Sequence, residues 1–403
     1  MSPLKMLIIL LVQGSALGVN LTCSRSDVTS GSDQPPHYIG AVAADSATCS
    51  EIGCNILAKG GSAVDAAIAT LLCTPLVHPQ SMGLGGGSVF TVLDKDDRVK
   101  VFNAKETVPR ILDKDLLKYC DKKPSPIQEA ARWIGVPGEL RAYERLHDQY
   151  GKLQWKELFE PVISLAEEGG KLMLEDLRGY RVEKSEAWMV PFGEYEMFFP
   201  PPPAGGALVS FILNVMEGKE INLHHDPLFY NQSSSLNHPG TSHVSVIAQD
   251  GTAVSVTSSI NEPFGSMIYS PKTGIILNNQ LQDFCHNGKE QKLSPGERPP
   301  SSMTPAILKS KSKTPKKILV IGGSGGTKIT PAVTLSLINH LWLGMNLEKA
   351  ISAPVLWLGS NNSLNVEEGF NLTVIEELKT LNHSISDEEI TFYNTVNAIL
   401  KEG

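Results

Sequence analysis

The residue in this chain best placed to do chemistry is Thr241, in the run Pro239-Gly240-Thr241-Ser242-His243-Val244-Ser245. A threonine heading an apolar run is by itself a strand residue, because β-branched side chains suit strands. It becomes a nucleophile if the chain is cut before it. A threonine at a new N-terminus carries its hydroxyl and, in the free α-amino group, its own base, with an ordinary pKa of about 7.7–8.0. Gly240 suits such a cut, since a residue without Cβ permits a strained turn at the scissile bond. A second group of interest is Gly322-Gly323-Ser324-Gly325-Gly326, which follows the apolar run Ile318–Ile321. The order Thr327-Lys328 is wrong for a phosphate-binding P-loop. A strand-to-helix turn with exposed backbone N–H groups, able to hold an oxyanion, fits better. Ser301-Ser302 after Pro299-Pro300 offers paired hydroxyls for a carboxylate. Asn261, Gln280 and Asp283 stand beside apolar runs and could receive an ammonium group; alone, such residues are more often found in turns and at sheet edges.

These groups need a scaffold. Residues 39–59 and 62–77 read as strand, helix and helix, the second helix opened by a capping-box pair, Ser62 and Asp65. The glycine-rich run 83–87 leads into a strand at Val89–Leu93, and helices occupy 139–168. Composition shifts at Pro200–Gly206, and 219–240 reads as loop. Val244, Val246, Val254 and Val256 alternate on either side of Asp250-Gly251, a strong hairpin signal. A helix starts near Pro331. Strands in the centre with helices on either side fit a helix-covered β-sandwich of the α+β class.

The chain has 403 residues, 41% of them hydrophobic, and a formal net charge of −8. An acidic chain without a basic stripe excludes nucleic acid as an expected partner. The basic run Lys309–Lys317 is interrupted by Ser, Thr and Pro and reads as a solvated loop. Residues 1–18 look like a signal peptide or signal anchor: Lys5, an apolar run from Met6 to Val12, then small residues up to Gly18. Asn20, Asn231, Asn361, Asn371 and Asn382 are N-x-[ST] glycosylation acceptors, consistent with a secretory route to the cell surface or outside. The six cysteines should pair at least in part in that compartment, with connectivity open. No metal or cofactor site is expected; His224-His225-Asp226 reads as an exposed loop.

Taken together the blocks resemble the γ-glutamyltransferases, among them Gly60–Ala66, Ser81–Gly87, Val136-Pro137-Gly138-Glu139, Gly240–Val246, Thr257–Asn261, Ser301–Met303 and Gly322–Gly326. Gly135–Glu139, Pro200–Gly206 and Tyr269-Ser270-Pro271 look nearest to the leukotriene-cleaving subtype. The resemblance implies an αββα sandwich of the N-terminal-nucleophile hydrolases and a proenzyme that cuts itself. The two resulting chains, here 39–240 and 241–403, would stay associated. It implies transfer of a γ-glutamyl group from glutathione or a conjugate to water, an amino acid or a dipeptide. Thr241 would attack and Ser259 assist. Gly325 and Gly326 would hold the oxyanion, Ser301 and Ser302 the substrate α-carboxylate, and Asn261 and Asp283 its α-ammonium. Cys49 and Cys73 would form a disulfide.

The departures carry expectations of their own. Lys105 stands where the family has Arg and loses the bidentate fork. Gln280 replaces Glu and removes an anionic partner. Ser259 replaces Thr and keeps the hydroxyl. Stretches of the family are missing after Gly169-Gly170 and after Gly218, and the chain ends before the family's last core strand, so an incomplete sandwich is expected. The rival class is a non-catalytic, uncleaved secretory relative.

Overall fold

The computed structural model describes residues 19–25, 37–111, 115–120, 130–166, 182–202, 204–216, 240–287, 292–312, 316–359, 363–386 and 394–402. Near the N-terminus come β1 (Val19–Arg25), β2 (His37–Ala44), α1 (Ala47–Ala58), α2 (Ala63–Val77), β3 (Gly87–Leu93), β4 (Val99–Ala104), α3 (Glu139–Tyr150) and α4 (Trp155–Ala166). The middle holds β5 (Glu183–Glu186), β6 (Trp188–Phe192), β7 (Tyr195–Phe199), α5 (Gly206–Met216), β8 (Gly240–Ala248) and β9 (Ala253–Asn261). Then follow β10 (Ala306–Ser310), β11 (Lys317–Ser324), α6 (Ile329–Leu337), α7 (Leu347–Ile351), β12 (Leu356–Leu358), β13 (Leu364–Val366), α8 (Leu372–Thr380) and β14 (Thr395–Glu402).

Alternation along the strands builds four layers. A seven-stranded sheet runs β1-β2-β8-β9-β3-β4-β5, and a five-stranded sheet runs β14-β11-β10-β7-β6. Val244, Val246, Val254, Val256, Phe90 and Phe102 point from the first sheet onto Ile68 and Leu71 of α2 and Tyr143 of α3. Leu308, Leu319 and Ile321 point from the second onto Val209 of α5 and Val333 of α6. Their neighbours Ile247, Ala253, Ile307, Ile318 and Val320 meet between the sheets. Each such side chain removed from water contributes about 1.5–3 kcal/mol. Every position of β8 and β9 is buried, so both strands are covered on both faces.

Local signals explain the frame. The Ser62 hydroxyl accepts from Asp65 N (3.0 Å) and the Asp65 carboxylate accepts from Ser62 N (2.9 Å), closing the capping box that starts α2. Asp250 Oδ1 accepts from Thr252 N (3.1 Å) and Gly251 takes φ +83°, which makes the β8–β9 turn. The implied Cys49–Cys73 disulfide joins α1 to α2. Two further bridges join Cys23 to Cys54 and Cys120 to Cys285, the pairings that spacing left open. One expectation is corrected: Lys309 lies buried within β10 with its Nζ on Asp97 O (3.1 Å), and Lys317 begins β11, so the basic run is two strand ends. Residues 313–315 between them, the targeting segment 1–18, the segment 217–239 with His224-His225-Asp226, and Asn231 and Asn361 lie outside the described residues. Asn20 lies in β1, Asn371 caps α8 with its Oδ1 accepting from Thr373 N (2.9 Å), and Asn382 is exposed just beyond it. No helix among the described residues is long and apolar enough to cross a membrane.

Candidate active site

Thr241 lies one residue into β8, on the face turned toward the second sheet. The β8–β9 register slips there: Gly240 pairs with Asn261 but Thr241 with Ser259, so Ile260 is bulged out. Bulges commonly re-aim side chains beside active sites. Asn261 takes φ +79°, a conformation Asn tolerates better than most residues. The slip creates a short relay. The Thr241 hydroxyl donates to Ser259 Oγ (3.2 Å), and Ser259 donates to the carbonyl oxygen of Gly240 (2.5 Å). Asn261 N also donates to Ser259 Oγ (2.8 Å), fixing that hydroxyl in place. The reason for glycine at 240 differs from the sequence expectation. A Cβ there would lie 2.5 Å from Glu262 O and 2.6 Å from Asn261 O, so close backbone approach, not a strained turn, demands it.

Two contacts fix where the glycine turn stands. Gly322 of β11 packs on the ring of His243, where a Cβ would come within 2.2 Å of Cε1. Ser255, which pairs with Ser245, donates to Ile321 O (2.9 Å). Advancing along β11 from Ile321 to Gly322 therefore moves from the Ser245–Ser255 pair to the His243–Thr257 pair, toward Thr241. Gly325 and Gly326 leave β11 at the same end of the sandwich as Thr241, at φ +118° and +62°. They open directly into a short helical turn, Gly326–Lys328, and α6.

Two contacts from β3 hold the Ser301-Ser302 loop at that same end. Thr91 donates to Pro305 O (2.8 Å), and Met303 packs on Val89 and Val101. Thr91 pairs with Ser255 and Val89 with Thr257, so going back from 305 toward 301 climbs to the level of Ser259. Both serines are half-buried.

On the other side of Ser259 the next strand is β3, whose Gly87 pairs with it. A Cβ on Gly87 would lie 2.9 Å from Glu106 Oε2. The Lys105 ammonium, buried at 1% exposure, contacts the same oxygen at 3.2 Å. Burial raises the Glu106 pKa against the opposing pull of Lys105, and the nearby Asp283 carboxylate raises it further. Gln280 donates to Asp283 Oδ2 (2.5 Å) at the start of a short helical turn, Gln280–Asn287. Asn261 Nδ2 donates to Asn279 O (3.3 Å), tying this turn to the end of β9. Lys105, Gln280 and Asp283 thus gather in one pocket, joined through Asn279 to Asn261.

Two residues the sequence reading passed over belong here. Glu106 was hidden beside Lys105, although a charged pair directly after the strand Val99–Ala104 was a usable signal. Asn278 is a buried clip: its Oδ1 accepts from Gly135 N (2.9 Å) and Gln280 N (3.0 Å), and its Nδ2 donates to Gly85 O (2.7 Å) and Gly135 O (2.9 Å). It locks two of the sequence blocks, through Gly85 and Gly135, to the turn that carries Gln280.

The polar layer between the sheets is held without charge. His243 hydrogen-bonds through Nδ1 with Thr257 Oγ1 (2.9 Å) and through Nε2 with Ser245 Oγ (3.1 Å). Burial pushes its pKa down to about 3, so the ring stays neutral. Among the described residues no cluster of His, Cys, Asp or Glu is placed to hold a metal ion.

Two stacked antiparallel sheets with helices outside both, and a threonine facing inward at the head of an internal strand, form the architecture of the N-terminal-nucleophile hydrolases. A cephalosporin acylase from Bacillus halodurans shares the fold, with TM-score 0.73 at 18% identity over 93% of this chain and 97% of that one. The chain belongs to the γ-glutamyltranspeptidase family, whose profile matches residues 49–172, 164–228 and 219–403. The glutathione hydrolase 5 proenzymes of Mus musculus and Rattus norvegicus are 35% and 36% identical to it, covering 90% of this chain and 89% of each of theirs. Glutathione hydrolase 3 of Arabidopsis thaliana is 28% identical over 79% of this chain and 72% of its own. The mouse match spans 514 positions against 403 residues here, so at least 514 − 403 = 111 of them face gaps in this chain. The profile match breaks around 164–172 and 219–228, where the sequence reading put the missing stretches.

Proposed function

We propose that this γ-glutamyl hydrolase/transferase acts on glutathione and on glutathione conjugates such as leukotriene C4, after cutting its own chain before Thr241. The observation that carries the reading is the relay from the Thr241 hydroxyl through Ser259 to the Gly240 carbonyl. It supports an attack by Thr241 Oγ on the carbonyl carbon of Gly240. The Thr241 proton passes to Ser259 as Ser259 gives its own to Gly240 O. Collapse breaks the C–N bond, Thr241 N takes a proton, and water hydrolyses the resulting ester. The freed α-amine then serves as base.

In turnover, Thr241 Oγ gives its proton to that amine and attacks the substrate γ-carbonyl. The N–H groups of Gly325 and Gly326 receive the developing oxyanion. The α-ammonium returns the proton to the leaving amine, and a γ-glutamyl ester remains on Thr241. Water, an amino acid or a dipeptide then takes the acyl group. Ser301 and Ser302 bind the substrate α-carboxylate. Asn261 and Asp283 bind its α-ammonium, with Lys105 and Gln280 shaping the pocket. Exposed glycosylation acceptors at Asn371 and Asn382, together with three disulfides, favour a secretory or cell-surface setting.

The test is a denaturing gel run with reductant, N-terminal sequencing of the smaller fragment, and release of an aniline from a γ-glutamyl anilide. Two fragments, one beginning at Thr241, with turnover are expected. An intact chain that releases nothing would instead identify a non-catalytic relative.

A further inference from the structure

The glycine turn is held from behind by charged groups that the reaction does not use. Lys328 ends the turn that starts at Gly325, with its backbone N–H on Gly325 O (3.3 Å). Its side chain runs inward, 1% exposed, and its Nζ lies 4.4 Å from the centroid of the Trp357 ring on β12. A buried ammonium over an indole face is a favourable but partial substitute for water. Burial pulls its pKa down to about 8, and the negative charge of Glu367 pulls the other way.

Glu367 follows β13. One carboxylate oxygen accepts from Val355 N (2.9 Å), and the backbone N–H of Asn394 also donates to the carboxylate; Oε1 has no hydrogen-bond partner among the described residues. Asn394 is the residue against which Gly325 is seated: a Cβ on Gly325 would lie 2.8 Å from both Asn394 Cα and Cβ. Asn394 leads directly into β14, the partner of β11. Gly325 thus seats on Asn394, Asn394 binds Glu367, and the charge of Glu367 acts on Lys328 at the other end of the same turn.

We propose that Lys328 and Glu367 are a positioning pair that fixes the Gly325–Gly326 turn, Lys328 balancing the charge with which Glu367 holds Asn394 against Gly325. Trp357 is the surface on which the ammonium rests. The pair touches no substrate; it sets the aim of two backbone N–H groups. Small errors in such aim are costly, since donor placement is what makes an oxyanion site effective.

The proposal rests on the oxyanion role given to Gly325 and Gly326, so its test has an arm that needs no turnover. Lys328→Met is compared with Glu367→Gln and with the double variant, each as the full chain. Two readouts are used: hydrogen exchange of peptides covering 322–329, and kcat and KM on a γ-glutamyl anilide. Lys328→Met should speed exchange in those peptides and lower kcat about tenfold with KM within about twofold. Adding Glu367→Gln should recover most of both, because the unbalanced charge is gone. Unchanged exchange in Lys328→Met overturns the proposal, and so does a double variant no better than the single one, which is what a purely space-filling role predicts. If the wild-type chain releases no anilide product, the reading of the reaction fails, and the exchange arm alone decides the positioning pair.

Discussion

The two ends of the candidate site are finished to different degrees. At the nucleophile, Thr241, Ser259, Gly240 O and Asn261 N form a closed set in which each donor has an acceptor. In the neighbouring pocket, Glu106 Oε1 and Gln280 Oε1 are buried and have no hydrogen-bond partner among the described residues. Leaving such atoms unmatched costs about 1–3 kcal/mol each. Under the proposed function the difference teaches a division of labour: Thr241 is prearranged by its own strand pair, whereas the cluster around Gln280 and Glu106 holds polar capacity for a substrate ammonium.

The largest test of that contrast is Thr241→Ala. It should abolish chain cleavage and lower turnover at least about 10³-fold, because nucleophile and base are lost together. Turnover surviving in a purified sample would move the site elsewhere. Lys105→Met probes the pocket and should act on folding. It strips the buried Glu106 carboxylate of its cation and should cost about 3–5 kcal/mol, read as a lower midpoint in urea. A midpoint within error of wild type would mean that Glu106 is not held as a charged partner.

Ser259→Ala keeps the pocket and opens the relay. It should slow self-cleavage about 10²-fold, followed as fragment appearance over time, since the Gly240 carbonyl loses its hydroxyl donor. Cleavage at the wild-type rate would leave the relay without a role.

Glu139 is the control. It too is a buried carboxylate, one oxygen accepting from Tyr143 OH (2.7 Å) and the group facing only the weak donors Ser88 and Ser258, but it sits on the helix side of the sheet. Burial raises its pKa to about 7 from an ordinary 4.5. The folded chain therefore keeps a proton that the unfolded chain loses between those values. The stability this gives is complete below about pH 4.5 and is lost as pH rises to about 7. Its slope is at most about 1.4 kcal/mol per pH unit. Glu139→Gln should flatten the slope in urea titrations at pH 5, 6 and 7 and leave KM alone. A raised KM would show that a buried carboxylate in this protein need not face the substrate to bear on its binding.

Much of the frame was legible because local signals agreed with tertiary ones. The capping box at Ser62, the Asp250-Gly251 turn and the glycine run after Ile321 each specify a backbone shape directly. The strands around Glu183–Phe199 were not legible. Glu183-Lys184-Ser185-Glu186 forms the exposed edge strand β5, with no apolar alternation to betray it. β14 escaped for the opposite reason: Val396–Ile399 is covered by partners far along the chain, β11 at its edge, the helix side on one face and the first sheet on the other. The register slip at Ile260, which aims the relay, leaves no mark in composition. Lys105 was legible as a cation, but its pairing with Glu106 depended on Gly87 letting the carboxylate approach.

The Cys120–Cys285 bridge crosses the junction at which the chain would be cut, one half-cystine lying before Gly240 and the other after Thr241. A chain severed there is still a single covalent molecule. Without reductant it would migrate as one species carrying a hidden nick. Its two polypeptides could drift apart only where thiols are abundant, so the redox state of the surroundings would govern whether the processed molecule persists as a unit.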